Sequence, residues 1–156
     1  MSSFVMYPLS SKVSDELKQT MRDQFGNPPK LEVAQSRRSI CRRCLRRFNP
    51  GERRLLFKYR PFQSEGVFAE AGPIYIHEND CKPDAEVLIS YPDDFRELPL
   101  LLRAYTQNDE QVDSKLIQNG DAETVINQFF DDSGVAYLHL RDGESGCYYG
   151  RIERST

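Results

Sequence analysis

Residues Arg37 to Arg47 read Arg-Arg-Ser-Ile-Cys-Arg-Arg-Cys-Leu-Arg-Arg, so two cysteines stand three positions apart within a dense run of arginine. The apolar side chains in and just after this stretch recur at helical spacing: Ile40, Cys41, Cys44, Leu45 and Phe48. Such a stripe predicts a helix with arginines on its opposite face. In one interpretation, both cysteines are therefore small buried hydrophobic residues of that helix.

A metal site is the second interpretation of these cysteines. Thiolates at Cys41 and Cys44 can both reach one tetrahedral zinc ion, since the turn between them brings each sulfur to about 2.3 Å from a common point. A structural zinc site needs four ligands, and His77 and Cys81 form the most economical second pair. The spacing therefore predicts a zinc site at Cys41, Cys44, His77 and Cys81. Because a sequence does not fix spatial neighbours, other residues remain alternatives for one ligand: Cys147 and His139.

Thiol chemistry supplies two further interpretations. The Cys41/Cys44 pair predicts a redox protein, because a helix N-terminus and neighbouring arginines would stabilise a thiolate. Against this, no apolar strand leads directly into Cys41, as a thioredoxin-like site requires. Cysteine nucleophilic catalysis needs a base and an orienting acid. The candidates are Cys147 or Cys81 with His139 or His77, oriented by Asp142 or Asp80.

Charge is unevenly distributed along the chain. Segment 37–60 carries ten Lys or Arg and one acidic residue, so its net charge is +9, whereas the rest of the chain carries −12 within a total of −3. The simplest expectation is that this basic segment forms salt bridges with the acidic body of the same fold. The alternative is an anion- or nucleic-acid-binding module, although the overall acidity argues against nucleic acid. A helix would place its candidate contacts together: Arg38, Arg42, Arg43 and Arg46.

Hydrophobic periodicity elsewhere predicts two more helices and several strands. One helix runs from Ser11 or Ser14 to about Phe25, and another covers 121–130 behind an Asp121 cap. Residues 30–36 are ambiguous. Strands are predicted at 55–59, 73–77, 98–105, 112–117, 135–140 and 147–152, the last two joined by a hairpin loop. This pattern indicates an α+β fold with a largely antiparallel sheet and two or three helices.

The length of 156 residues predicts a single compact domain, and no linker or low-complexity tract divides it. No apolar run approaches the roughly 20 residues that cross a bilayer, and the N-terminus lacks a signal-peptide pattern. We therefore expect a soluble, cytoplasmic protein. In a reducing compartment four cysteines are more often thiols or metal ligands than disulfides, although their even number keeps a disulfide framework as an alternative.

Several short motifs occur in a fixed order along the chain. They are Cys41-Arg42-Arg43-Cys44-Leu45, Tyr59-Arg60-Pro61-Phe62, Gly72-Pro73-Ile74-Tyr75-Ile76-His77 followed by Cys81, Leu102-Arg103-Ala104-Tyr105, and Gly146-Cys147. As a set they resemble a small bacterial family of about this length, domain of unknown function 1203, from Cys41 to Arg154. That family has no assigned activity, but the resemblance implies that the cysteines and His77 belong to one shared pattern. It predicts 37–156 as the family-like core and about 1–36 as an N-terminal helix and connection.

No phosphate-binding glycine loop, metalloprotease helix or nucleotide fingerprint occurs in the sequence. No enzymatic activity is therefore predicted. We expect an uncharacterised protein in which a structural zinc ion stabilises a ligand- or partner-binding domain.

Overall fold

The computed structural model describes residues 4–90, 92–118 and 120–155. Within them the chain forms eight strands, two α-helices and one turn of 3₁₀ helix at Asp93–Phe95. The strands are β1 Phe4–Tyr7, β2 Lys30–Val33, β3 Arg53–Tyr59, β4 Gly72–His77, β5 Leu100–Tyr105, β6 Gln111–Ile117, β7 Tyr137–Asp142 and β8 Tyr148–Arg154. The helices are α1 Ser11–Thr20 and α2 Ala122–Phe130. Every pairing among these strands is antiparallel, which confirms the predicted α+β class.

The larger sheet has five strands in the order β1-β8-β7-β5-β6. Because side chains alternate across a strand, one face of this sheet is apolar and forms the larger core with α2. The strand β1, which the sequence pattern did not predict, adds Phe4 and Met6 to that core. The central side chains of this larger core are fully buried: Leu100, Leu102, Ala104, Leu138, Leu140, Ile152 and Ile126.

The opposite face of this sheet carries polar and aromatic side chains. Arg103, His139 and Arg151 stand side by side on β5, β7 and β8. The connection between β3 and β4 covers part of this face, since the Phe62 ring centroid lies 5.3 Å from that of Tyr105. One sheet therefore presents an ordinary core on one side and a basic, aromatic surface on the other.

A smaller sheet of three strands, in the order β2-β3-β4, forms the second core together with α1. Residues on alternating positions of β3 and β4 are buried there: Leu55, Phe57, Ile74 and Ile76. Leu17 of α1 and Phe48 complete the packing. The strand β2, where the sequence was ambiguous, lies at the edge of this sheet.

The helix predicted across residues 40–48 does not form. Ile40 and Arg47 instead make an antiparallel bridge, and the chain between them turns, with Leu45 in the left-handed region at φ 62°. The apolar side chains are buried, as predicted, but in different cores. A helix would place all five of these side chains on one face, and that face could enter only one core. A turn allows neighbouring residues to enter two different cores. Ile40 and Leu45 belong to the larger core, and Cys41, Cys44 and Phe48 to the second.

Helix α1 ends five residues before the predicted position. Ser10 caps its N-terminus, and Met21, in the left-handed region at φ 51°, follows its last turn. The Asp23 carboxylate then accepts hydrogen bonds from the backbone N–H groups of Phe25 and Asn27, at 2.8 and 3.0 Å. Such bonds favour a turn over a continued helix, so the prediction was wrong for residues 21–25. The helix predicted at 121–130 is confirmed as α2, capped by the side chain of its N-terminal neighbour.

The described residues between β4 and β5 contain little regular structure besides the 3₁₀ turn. Leu88 attaches this segment to Met6 of β1 through two backbone hydrogen bonds, at 2.7 and 2.8 Å. No helix in the described ranges has the length and hydrophobicity needed to cross a membrane.

Candidate metal centre

The Cys-x-x-Cys sequence forms a tight turn. The backbone N–H of Leu45 donates to the Cys41 carbonyl at 2.8 Å, and the N–H of Cys41 donates to the Arg46 carbonyl at 3.0 Å. The left-handed conformation of Leu45 costs a residue other than glycine about 1–2 kcal/mol, and burial of its side chain in the larger core offsets that cost. The turn leaves Cys41 fully buried and Cys44 only 5% exposed.

His77 and Cys81 complete a group of four potential ligands. His77 is the last residue of β4, and Cys81 lies in the segment that follows. The Cys41 and Cys81 sulfurs lie 3.7 Å apart, and the Cys44 sulfur lies 3.5 Å from His77 Nδ1. All four donor atoms lie within 4.8 Å of one another, so this group could hold a metal ion. The structure thus brings together the four residues that the spacing predicted.

Neighbouring groups hold these potential ligands in place. The backbone N–H of His77 donates to the Cys41 sulfur at 3.3 Å. On the other side of the imidazole ring, His77 Nε2 lies 3.4 Å from Glu52 Oε2. Glu52 is itself fixed, because its Oε1 accepts a 2.6 Å hydrogen bond from the N–H of Asn49. A carboxylate behind a histidine orients the ring and sets its tautomer, as metal sites commonly require.

The thiols and imidazole also influence one another's protonation. Burial raises the pKa of the Cys41 thiol, but hydrogen bonds from the Cys44 and Cys81 thiols and from backbone N–H groups outweigh it, so that pKa is lowered. The same hydrogen bond to Cys41 raises the pKa of Cys81. Interaction with Cys44 raises the pKa of His77, and Glu52 adds to this effect. The cluster therefore favours a thiolate at its most buried position.

A family model described as a protein of unknown function (DUF1203) matches residues 39–154, about three quarters of the chain. This protein belongs to the DUF1203 family. No curated protein and no solved structure matches the chain. The resemblance seen in the sequence motifs is thus confirmed, and all four potential ligands lie within the part shared with the family.

The remaining cysteine and histidine of this DUF1203 protein lie elsewhere. Cys147 precedes β8, and His139 is fully buried on β7, where its Nδ1 lies 3.0 Å from Arg141 Nη2. Neither belongs to the group of four within the described residues. The four cysteines are free thiols, and Cys41 and Cys44 are buried as the core interpretation predicted. Redox and nucleophilic roles for the cysteines stay predictions.

Arg42, inside the Cys-x-x-Cys turn, is a buried structural residue with an exposed fraction of only 5%. Its Nε donates to the Tyr148 carbonyl and its Nη1 to the Ile40 carbonyl, both at 2.6 Å. Its guanidinium carbon lies 4.6 Å from the centre of the Tyr149 ring, within range of a cation–π contact. Arg42 therefore connects the turn to β8.

The other three arginines of the predicted anion-binding face are not aligned by a helix, and each pairs with a carboxylate of the chain. Arg43 is buried and forms a bidentate pair with Glu86, at 2.9 and 2.5 Å. Arg46 donates to Asp84 at 2.7 Å, and Arg38 is exposed. These pairs attach the turn to the segment after β4. Anion or nucleic-acid binding by these four arginines stays a prediction.

Two features of the protein were missed at the level of sequence. Glu52 reaches His77 only because β3 and β4 pair in a register that brings the start of β3 beside the end of β4. Glu70 contacts both Arg103 and Arg141, from a connection with no regular structure. Neither carboxylate stands in a recognisable motif, so no local signal could have identified them.

Proposed function

We propose that this DUF1203 protein binds one zinc ion at Cys41, Cys44, His77 and Cys81, and that the ion is structural. In this proposal the zinc stabilises a domain that binds a ligand or partner. The observation that carries it is the pair of distances between ligand atoms, 3.7 Å between two sulfurs and 3.5 Å between sulfur and nitrogen.

These distances fit the edges of a zinc tetrahedron. With Zn–S near 2.3 Å and Zn–N near 2.0–2.1 Å, tetrahedral angles place two sulfurs roughly 3.8 Å apart and a sulfur and nitrogen roughly 3.6 Å apart. Within each of these two pairs the donor atoms therefore need to move by only about a tenth of an ångström, and the remaining separations, all within 4.8 Å, need to shorten by about 1 Å or less. Hydrophobic packing alone gives no reason for four soft donors to meet at this spacing.

The donor set favours zinc and a structural role. Three thiols and one imidazole are characteristic of tetrahedral zinc, whereas magnesium and calcium prefer oxygen ligands. Four protein ligands leave no open position for water or substrate, which distinguishes structural from catalytic sites. The near-complete burial of Cys41 and Cys44 supports the same assignment.

The ion would link three parts of the chain that are distant in sequence. Cys41 and Cys44 belong to the turn, His77 ends β4, and Cys81 lies in the irregular segment that precedes β5. That segment is otherwise attached by the Leu88 bridge, by Phe95, which is buried in the larger core near its end, and by the ion pairs of Arg43 and Arg46. Exposed ion pairs contribute only about 0–1 kcal/mol each, so zinc would add a strong anchor to the part before Leu88.

Zinc content tests the proposal directly. Protein purified without added metal, and kept from chelators and oxidation, should hold one zinc per chain by elemental analysis. The Cys41→Ser and His77→Ala variants should lose the ion, because each leaves three ligands. Cys147→Ser is the matched control and should retain a full equivalent, since Cys147 lies outside the group. A zinc content near zero in the unmodified protein contradicts the proposal.

The same samples separate the zinc site from a thiol redox site. If zinc is bound, cobalt(II) substitution should produce the visible absorption of a tetrahedral cobalt–thiolate centre, and Cys41 should alkylate slowly until a chelator is added. A redox pair would instead give metal-free protein in which Cys41 and Cys44 interconvert between dithiol and disulfide. Mass spectrometry after alkylation under oxidising and reducing conditions measures that difference.

A further inference from the structure

The basic face of the five-stranded sheet is a second place where the fold concentrates unusual groups. Arg103 on β5 and His139 on β7 are paired neighbours in the sheet, and Arg141 follows on β7. The side chain of Arg141 is only 5% exposed. Cations in such surroundings require compensation, because burial of an unpaired charge is costly.

The hydrogen bonding of these buried groups inside the protein is incomplete. Arg141 Nη1 donates to the Gly146 carbonyl at 3.0 Å, and Nη2 lies 3.0 Å from His139 Nδ1. Its Nε is buried without a hydrogen-bond partner in the described part of the chain, as is Nε2 of His139. Native proteins leave few buried polar atoms unpaired, so such atoms call for an explanation.

Glu70 is the carboxylate that contacts both arginines. Its Oε1 accepts a hydrogen bond from Arg103 Nη1 and lies 2.9 Å from Arg141 Nη1. Glu70 belongs to the connection between β3 and β4, residues 60–71, and its side chain is 49% exposed. Because the carboxylate is half-exposed and belongs to an irregular connection, its side chain can turn to solvent at a lower cost than a buried carboxylate, provided that another anion compensates the buried Arg141. The same carboxylate therefore shows how an anion from solution would sit between the two guanidinium groups.

A cavity of about 150 Å³ adjoins this contact. Glu70 and Arg141 line it together with Ser145, Gly146 and Cys147 from the loop between β7 and β8. Ser145 is exposed, so the cavity lies close to the surface. The lining of this cavity thus combines a buried guanidinium, a polar loop and the half-exposed carboxylate of Glu70.

We propose that Arg103 and Arg141 form a binding site for a small ligand that carries an oxyanion, either a carboxylate or a phosphate. The oxyanion takes the position of the Glu70 carboxylate, whose half-exposed side chain turns toward solvent to admit it, while Phe62 of the same connection stays packed against Tyr105. Two guanidinium groups that converge on one oxygen are suited to carboxylates and phosphates, because they offer several charge-assisted hydrogen bonds. This site is separate from the four metal ligands and does not depend on the proposed zinc.

Substitution of the internal carboxylate tests the site. Glu70→Gln removes the competitor while keeping a side chain of the same size, so inorganic phosphate or acetate should bind at least tenfold more tightly than to the unmodified protein by calorimetry. Glu65→Gln is the matched control: it makes the same charge change in the same connection, at a residue paired with Arg60. It should leave binding unchanged. Adding Arg103→Gln to Glu70→Gln should abolish it.

Every titration is repeated with sodium chloride at equal ionic strength. This control separates specific binding of the oxyanion from a general effect of salt. Binding of either oxyanion to Glu70→Gln, but not to the double variant, supports the site and identifies which oxyanion it prefers. Equal responses of Glu70→Gln and Glu65→Gln overturn it.

If Glu70→Gln does not fold, thermal denaturation of the unmodified protein supplies the test. Phosphate or acetate should then stabilise it by several degrees over chloride and not stabilise Arg103→Gln, and equal behaviour of the two proteins overturns the site.

Discussion

His77 Nε2 lies 3.4 Å from Glu52 Oε2, while Nδ1 of the same ring lies 3.5 Å from the Cys44 sulfur. The histidine is therefore held between a carboxylate and the cysteine cluster. This arrangement determines which ring nitrogen faces the cluster, because the Nε2 proton is directed to Glu52.

The Glu52→Gln variant should bind zinc about 10–100-fold more weakly than the unmodified protein. The amide keeps an acceptor for the Asn49 N–H but loses the charge that orients His77 and increases its basicity. Competition with a chromogenic chelator measures the affinity. Glu78→Gln is the control, since this substitution makes the same charge change one residue from His77. Glu78 itself pairs with Arg53. An equal loss in both variants would argue against an orienting role for Glu52.

Removal of zinc should release the segment after β4 before the rest of the fold. A structural zinc contributes roughly 10 kcal/mol or more of binding free energy coupled to folding, and in the proposed site Cys81 is the ligand that this segment supplies. Hydrogen exchange with and without a chelator should show faster exchange at residues 78–90 and in the turn at 41–47. The amides of β5 and β7, which lie in the centre of the larger sheet, provide the internal reference. Uniform acceleration across both regions would instead indicate global unfolding.

His139 should make the protein less stable in acid. Burial lowers its pKa well below 6.5, and the nearby Arg141, Arg151 and Arg103 add to this effect. Below pH 6.5 the unfolded chain binds a proton at this position that the folded chain does not, so unfolding becomes more favourable as pH falls. The stability is fully present above pH 6.5 and is lost by up to about 1.4 kcal/mol per pH unit below it.

Denaturant unfolding of zinc-loaded protein at several pH values tests this prediction. The His139→Gln variant keeps a hydrogen-bonding side chain but does not titrate, so its stability should depend less on pH between 6.5 and 5. Comparing it with the unmodified protein cancels the contribution of His77, which both proteins contain. Parallel pH profiles of the two proteins would show that His139 is not the group responsible.

Arg42→Lys should destabilise the protein by roughly 2–4 kcal/mol. A lysine cannot donate to the Tyr148 and Ile40 carbonyls at once with the planar geometry of a guanidinium, and each unsatisfied buried group costs about 1–3 kcal/mol. Arg38→Lys, at an exposed position in the same basic segment, should change stability by less than about 0.5 kcal/mol. Chemical denaturation measures both. Equally small effects of both substitutions would show that the hydrogen bonds of the buried Arg42 contribute little to stability.

From the sequence alone, one group of potential metal ligands and most of the strands could be predicted. The spacings Cys-x-x-Cys and His-x-x-x-Cys identified four residues that the fold does bring together, since short spacings constrain local geometry whatever surrounds them. The strands β3 to β8 were predicted within a few residues. In β3, β4 and β5 the buried side chains recur at every second position, as expected of strands with one face in a core, whereas β6 buries only Ile117 at its end.

Only the tertiary structure decided that the apolar residues at 40–48 form a turn and not a helix. Periodicity counts how often apolar residues recur but does not say which core each one enters. Here Ile40 and Leu45 enter one core and Cys41, Cys44 and Phe48 the other, so a turn satisfies the same pattern that predicted a helix. The carboxylates of Glu52 and Glu70 were likewise beyond prediction. Their partners come from strands and connections distant in sequence, and only strand register and chain packing bring such charges together.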